Sequence, residues 1–83
     1  MIILGGEIVI DVEVRLFATF REGREKKYFL ELPEGTTILK ILKMLNIEEK
    51  EVSIMLLNGM DSNSNQELSN GDILSLFPPV GGG

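Results

Sequence analysis

The sequence predicts a small α+β domain of two layers: four strands in a sheet and one amphipathic helix packed on one of its faces. Three observations carry this. Residues 8–18 and 28–32 alternate apolar and polar with a period of two, as half-buried strands do. Ile38, Ile41, Leu42 and Leu45 recur at helical spacing and make one apolar face. Two further apolar runs, residues 52–57 and 73–77, are punctuated by Asn58-Gly59 and Asn70-Gly71. With 83 residues and no internal repeat, the chain reads as a single domain spanning 1–83.

The elements follow in order. Ile8, Ile10, Val12, Val14, Leu16 and Ala18 share one parity of the first strand, and Asp11, Glu13 and Arg15 share the other. Phe17 stands on the polar parity. Residues 21–25 read as a charged turn. Tyr28, Leu30 and Leu32 then alternate with Lys27, Phe29 and Glu31, which completes a hairpin. Pro33-Glu34-Gly35 ends this strand, and Thr36 or Thr37 is the expected N-cap of a helix that stops at Asn46. Residues 48–51 read as a solvated charged link. Residues 52–57, apolar on both faces apart from Ser53, predict a central, well-covered strand. Residues 61–66 form a polar loop, and residues 73–77 the last strand. Pro78-Pro79 then leaves the sheet in an extended path. The expected core is Val12, Val14, Leu16, Leu30, Leu32, Ile38, Ile41, Leu42, Leu45, Leu74 and Leu76, with Met44 and Met55 as fillers. The arrangement is of the ubiquitin-like β-grasp type, a mixed sheet with its first and last strands parallel at the centre. Residues 1–10 read as an N-terminal extension turned by Gly5-Gly6, and residues 78–83 as a flexible C-terminal tail.

Composition narrows the chemistry. The chain has no Cys and no His, which removes thiolate nucleophiles, Cys-ligated metal and the commonest neutral-pH general base. Eight basic residues against 13 acidic ones give a net charge of −5, which argues against nucleic acid and for a basic partner or simple solubility. Carboxylate clusters such as Glu48/Glu49/Glu51 lack any metal-loop spacing and read as solvated surface; no metal is expected. No signal or membrane-spanning pattern is visible, so the expected location is cytoplasmic, away from membranes.

Two features remain that point to function. The tail Phe77-Pro78-Pro79-Val80-Gly81-Gly82-Gly83 combines a stiff spacer with residues lacking Cβ, and it ends in an unhindered α-carboxylate. It reads either as a segment that threads a partner's channel and is activated there, or as an inert frayed end. Phe17 and Phe29, joined by Phe77 and Met60, read as an exposed patch on the helix-free face. The patch serves docking, or it is plain cross-strand pairing.

These pieces together resemble one family. Val14-Arg15-Leu16-Phe17-Ala18-Thr19-Phe20-Arg21-Glu22, Leu32-Pro33-Glu34-Gly35-Thr36-Thr37, Leu57-Asn58-Gly59, and the block from Leu68 through Gly71-Asp72 and Phe77-Pro78-Pro79-Val80 to Gly82-Gly83 are similar to the MoaD proteins, small subunits of molybdopterin synthase. The resemblance covers about residues 11–83. It implies a sulfur carrier with no catalytic machinery of its own. An E1-like, MoeB-like enzyme would use ATP to adenylate Gly83, and a sulfur donor enzyme would convert it to a thiocarboxylate. The charged tail (Pro78, Pro79, Val80, Gly81, Gly82) would then thread into a large, MoaE-like synthase subunit, where the dithiolene of molybdopterin is built for the molybdenum cofactor. The carrier itself would bind no cofactor. Phe17, Phe77 and Arg21 match docking positions of the family, and Met60 lies near one. The same tail also suits a related ThiS-like carrier for thiamine, amino-acid or tRNA thiolation, or a ubiquitin-like protein modifier.

Overall fold

A computed structural model describes residues 2–79, with the backbone alone for Ile2 and Leu4. Val80, Gly81, Gly82 and Gly83, and with them the expected reactive end and all of the expected threading segment beyond Pro79, lie outside the described residues. The strands are β1 (Ile2–Leu4), β2 (Glu7–Leu16), β3 (Lys27–Pro33), β4 (Ile54–Leu57), β5 (Met60–Asp61) and β6 (Asp72–Phe77); the helix α1 (Ile38–Met44) lies between β3 and β4.

The long alternating segment becomes β2, which carries three partners. Val9 faces both Ile2 and Pro33, so β1 and β3 lie on opposite edges of β2. Residues 12–15 face both β3 and β6, so β3 and β6 are opposite as well. Hence β1 and β6 share one edge of β2, end to end. The backbone of Asp11, in the gap between them, is satisfied by the 69–71 loop: its N–H donates to Asn70 Oδ1 (2.9 Å), and its carbonyl accepts from Gly71 N–H (2.7 Å). The N-terminal residues are thus a hairpin strand integrated with the sheet, turned by Gly5-Gly6 as expected, and β2 starts at Glu7.

β2 and β6 run parallel, with Val14 opposite Leu74 and Leu16 opposite Leu76, which is the β-grasp pairing. Their inner sides, Ile10, Val12, Val14, Leu16, Leu74 and Leu76, form one buried cluster with Ile38, Ile41 and Leu42 of α1. Burial of such side chains is worth about 1.5–3 kcal/mol each before the ordering cost. Leu30 and Leu45, expected in the core, pack at its margin instead, and Met44 is exposed. Phe20, Leu32, Ile47 and Leu68 complete the core.

Thr37 occupies the N-cap position, but its side chain caps nothing. The first helical N–H groups, of Ile38 and Leu39, donate to the carbonyls of Gln66 and Ser64 (3.0 and 2.9 Å). The polar 61–66 loop is therefore a backbone cap for α1, and buried Ser64 donates to Glu49, which stays exposed within the solvated link. At the other end Asn46 takes a positive φ of 59° and stops the helix. Arg24 fastens this end to the β2–β3 connection: it donates to the carbonyls of Leu45 (3.0 Å), Asn46 (3.2 Å) and Phe20 (3.3 Å).

Residues 52–57 do not make a central strand. β4 is four residues long and lies between β6 and the two-residue β5, with Ile54 exposed. The centre is taken by β2 and β6. The outward apolar residues of β4 signal a surface patch, not a covered face.

Candidate functional site

The site is built where β2 and β6 end together. Their parallel register runs Leu16 against Leu76, so the next residues, Phe17 and Phe77, emerge side by side on the helix-free face. Their rings stack with centroids 4.3 Å apart and planes 7° from parallel. The ladder extends one residue past the strand, since Phe17 N–H donates to Leu76 carbonyl (3.2 Å). Ala18 then adopts φ 53°, a left-handed conformation that a non-glycine residue takes at a cost. This turn starts a short 3-10 segment, residues 18–21, that sends Phe20 back into the core.

Arg21 closes the site. Its Nε donates to Leu16 carbonyl (2.7 Å), which holds the guanidinium carbon 5.2 Å from the centre of the Phe17 ring. Across β6, Ile54 lies opposite Phe77 and extends the apolar surface; Ser53 N–H fixes the Phe77 carbonyl (2.8 Å). The result is a row of Ile54, Phe77, Phe17 and Arg21, apolar with a cation at one end. The chain leaves the sheet from this row. β6 ends at Phe77, so the chain leaves the sheet at Pro78-Pro79 as expected, with Pro78 buried and Pro79 exposed.

The structure therefore joins Phe17, Phe77 and Arg21 and separates Phe29 and Met60 from them. Phe29 lies on the same face but opposite Glu13, four residues along β2 from Phe17, roughly 13 Å away at strand spacing. It is 75% exposed. Met60, also exposed, sits opposite Leu57 on the edge strand; Leu57 packs toward the core, so Met60 belongs to the helix side of the pleat. Ile54 was missed in the sequence, because its apolar neighbours suggested coverage. Its signal was position: two residues past Glu51-Val52, on the parity of Leu56.

Among the described residues no group of three or more acidic, His or Cys side chains is placed to hold a metal ion, and no helix is long and apolar enough to cross a membrane. The site offers shape, an aromatic surface and one positive charge next to an exiting chain. That suits recognition of another protein.

Comparison with protein families matches residues 14–83 to the ThiS family. No curated protein matches the chain. Among solved structures, it is similar to a Pyrococcus furiosus protein assigned as molybdopterin converting factor, subunit 1. Identity there is 29% and the TM-score 0.67, over 86% of this chain and 99% of that one. It is also similar to a chain in the complex of subunits 1 and 2 of the molybdopterin-converting factor from Helicobacter pylori, at 30% identity and TM-score 0.60, over 89% of this chain and 100% of that one. Small archaeal modifier protein 1 of H. volcanii is similar at 25% identity and TM-score 0.69, over 86% of this chain and 99% of that one.

Proposed function

The chain belongs to the ThiS family and has its sulfur-carrier fold, and from that premise we propose that it carries sulfur as a thiocarboxylate on Gly83, for molybdopterin synthesis as the small subunit of the synthase. The observation that carries the reading is the Phe17–Phe77 stack under Arg21 at the point where the chain leaves the sheet. It supplies a rigid docking surface fixed relative to the departing segment, so a partner that grips the surface also aims the tail.

In this reading an E1-like enzyme binds ATP, and the Gly83 carboxylate oxygen attacks the α-phosphorus and expels pyrophosphate. A sulfur nucleophile delivered by a donor enzyme adds to the acyl carbon and expels AMP, which leaves the thiocarboxylate. The large synthase subunit then receives the tail, and sulfur passes to a pterin precursor. The similarity to a chain from a two-subunit molybdopterin-converting factor supports a large-subunit partner. Gly81 and Gly82 have no Cβ to obstruct a narrow channel.

Intact-mass spectrometry after incubation with ATP, a cognate activating enzyme and a sulfur source tests the proposal. The expected product is heavier by the replacement of one oxygen with one sulfur. Deleting Gly83 is expected to abolish the conversion with no change in melting temperature. An unchanged mass, where a known carrier is converted in parallel, refutes it.

The similarity to small archaeal modifier protein 1 favours a second reading. A lysine amine attacking the same activated carbonyl would give an isopeptide-linked conjugate. Conjugates bearing a Gly-Gly remnant on lysine after proteolysis would establish this use; thiolation of a thiamine precursor, an amino acid or tRNA would establish another sulfur acceptor.

A further inference from the structure

β3 bonds to β2, and no other described strand pairs it. Leu16 N–H donates to Lys26 carbonyl and Glu34 N–H to Ile8 carbonyl, so even-numbered positions here direct their backbone groups toward β2. By the alternation of an antiparallel ladder, Lys27, Phe29 and Glu31 direct theirs to the open edge. Pro33, which has no N–H, ends that row.

The side chains at these positions are poorly matched within the chain. Lys27 lies opposite Arg15, and Glu31 lies opposite Asp11; like charges facing each other across strands are unfavourable. Arg15 is held by Glu13, and no ion pair is formed by Lys27 or Glu31 among the described residues. Between them Phe29 stands 75% exposed.

We propose that β3 pairs with the β3 of a second copy of this chain, antiparallel, in a two-fold register centred on Phe29. Phe29 then faces the partner's Phe29, and Lys27 faces the partner's Glu31, twice by symmetry. All three facing pairs fall on positions whose backbone groups point outward, so they exchange hydrogen bonds in full. Neighbouring registers fail. A centre at Glu31 or at Lys27 sets like charges together. A centre at Leu30 sets Lys27 against the partner's Pro33, and one at Tyr28 sets Glu31 against the partner's Glu25. The charges that conflict with β2 are thus the ones that complement a second β3. β2 separates this edge from β6, so the dimer leaves the Phe17–Phe77 surface free.

Sedimentation equilibrium of the full chain, up to about 1 mM, where a Kd of that order still populates the dimer, tests the proposal. Lys27→Glu and Glu31→Lys are each expected to weaken self-association by about tenfold or more, because each creates two like-charge contacts. Each reverses a charge at an exposed strand position, so melting of the dilute monomer should change little. Mixing the two single variants should produce a heterodimer, and the K27E/E31K double variant should regain self-association to within about threefold of the parent. A parent chain that stays monomeric throughout overturns the proposal. So does a dimer that ignores both charge reversals, since another surface would then hold it.

Discussion

Phe17 and Phe29 have the same residue type, the same outward parity and adjacent strands, yet they live in different environments. Phe17 is half-buried, stacked on Phe77 and covered by Arg21; Phe29 stands almost clear of the protein beside a free edge. The difference arises from β6. It lies parallel to the C-terminal half of β2 and brings a second aromatic alongside Phe17, whereas among the described residues β3 has no strand on its far side to cover Phe29. Parity therefore assigned both rings to one face, and their neighbours decided that one is a built surface and the other an unpartnered one.

Four substitutions sharpen this contrast. Phe20, from the turn that follows Phe17, is 4% exposed, and Phe20→Ala should cost about 3–5 kcal/mol in chemical denaturation. It marks what a true core ring contributes at this end of the molecule. Phe17→Ala should cost less, about 1–2 kcal/mol for a half-buried ring. A double-mutant cycle with Phe77→Ala should return a coupling of about 0.5–1.5 kcal/mol; zero coupling would mean that the stacked rings merely lie close. Phe29→Ala should change monomer stability by no more than about 0.5 kcal/mol. A larger loss, measured at a concentration where the chain is monomeric, would show that Phe29 supports the fold and not an interface.

The two ends also differ in how the backbone is held. The Phe17 end is fixed by the positive φ at Ala18, by Arg21 on Leu16 and by Arg24 on the helix terminus. Each of these arginines satisfies a carbonyl that would otherwise end a strand or helix unpaired. That rigidity suits a surface that must aim a departing chain. The β3 edge has no comparable clamp. Pro33, Lys27 and Glu31 restrict which strand can join it, a common way to keep an open edge from pairing indiscriminately.

Much of the fold was legible in local pattern. Period-two alternation located β2 and β3, helical spacing located α1, and Asn58-Gly59 located the β4–β5 turn, where both residues take positive φ. Errors clustered where long-range contacts overrule local pattern. Phe20 was absent from the expected core because it lies outside the alternating run, next to the charged 21–25 turn. Residues 52–57 looked central because an apolar outer face was taken as a covered one. Thr37 looked like a side-chain cap, but the carbonyls of Ser64 and Gln66, in a loop far along the chain, serve Leu39 and Ile38 respectively only after the loop has folded back onto them.

The sequence by itself determined the inward parity of β2, the apolar face of α1, the order of β2, β3, α1, β4 and β6, and a composition without Cys or His. These follow from side-chain type and short-range periodicity, which are local properties of the chain. Only the tertiary structure decided that Phe77 meets Phe17, that Ile54 joins them, and that Phe29 and Met60 do not. Those contacts depend on strand order and register, set by parallel pairing across some sixty positions of chain, Leu16 with Leu76. No local pattern encodes which strand will arrive at a given edge, or leave it open.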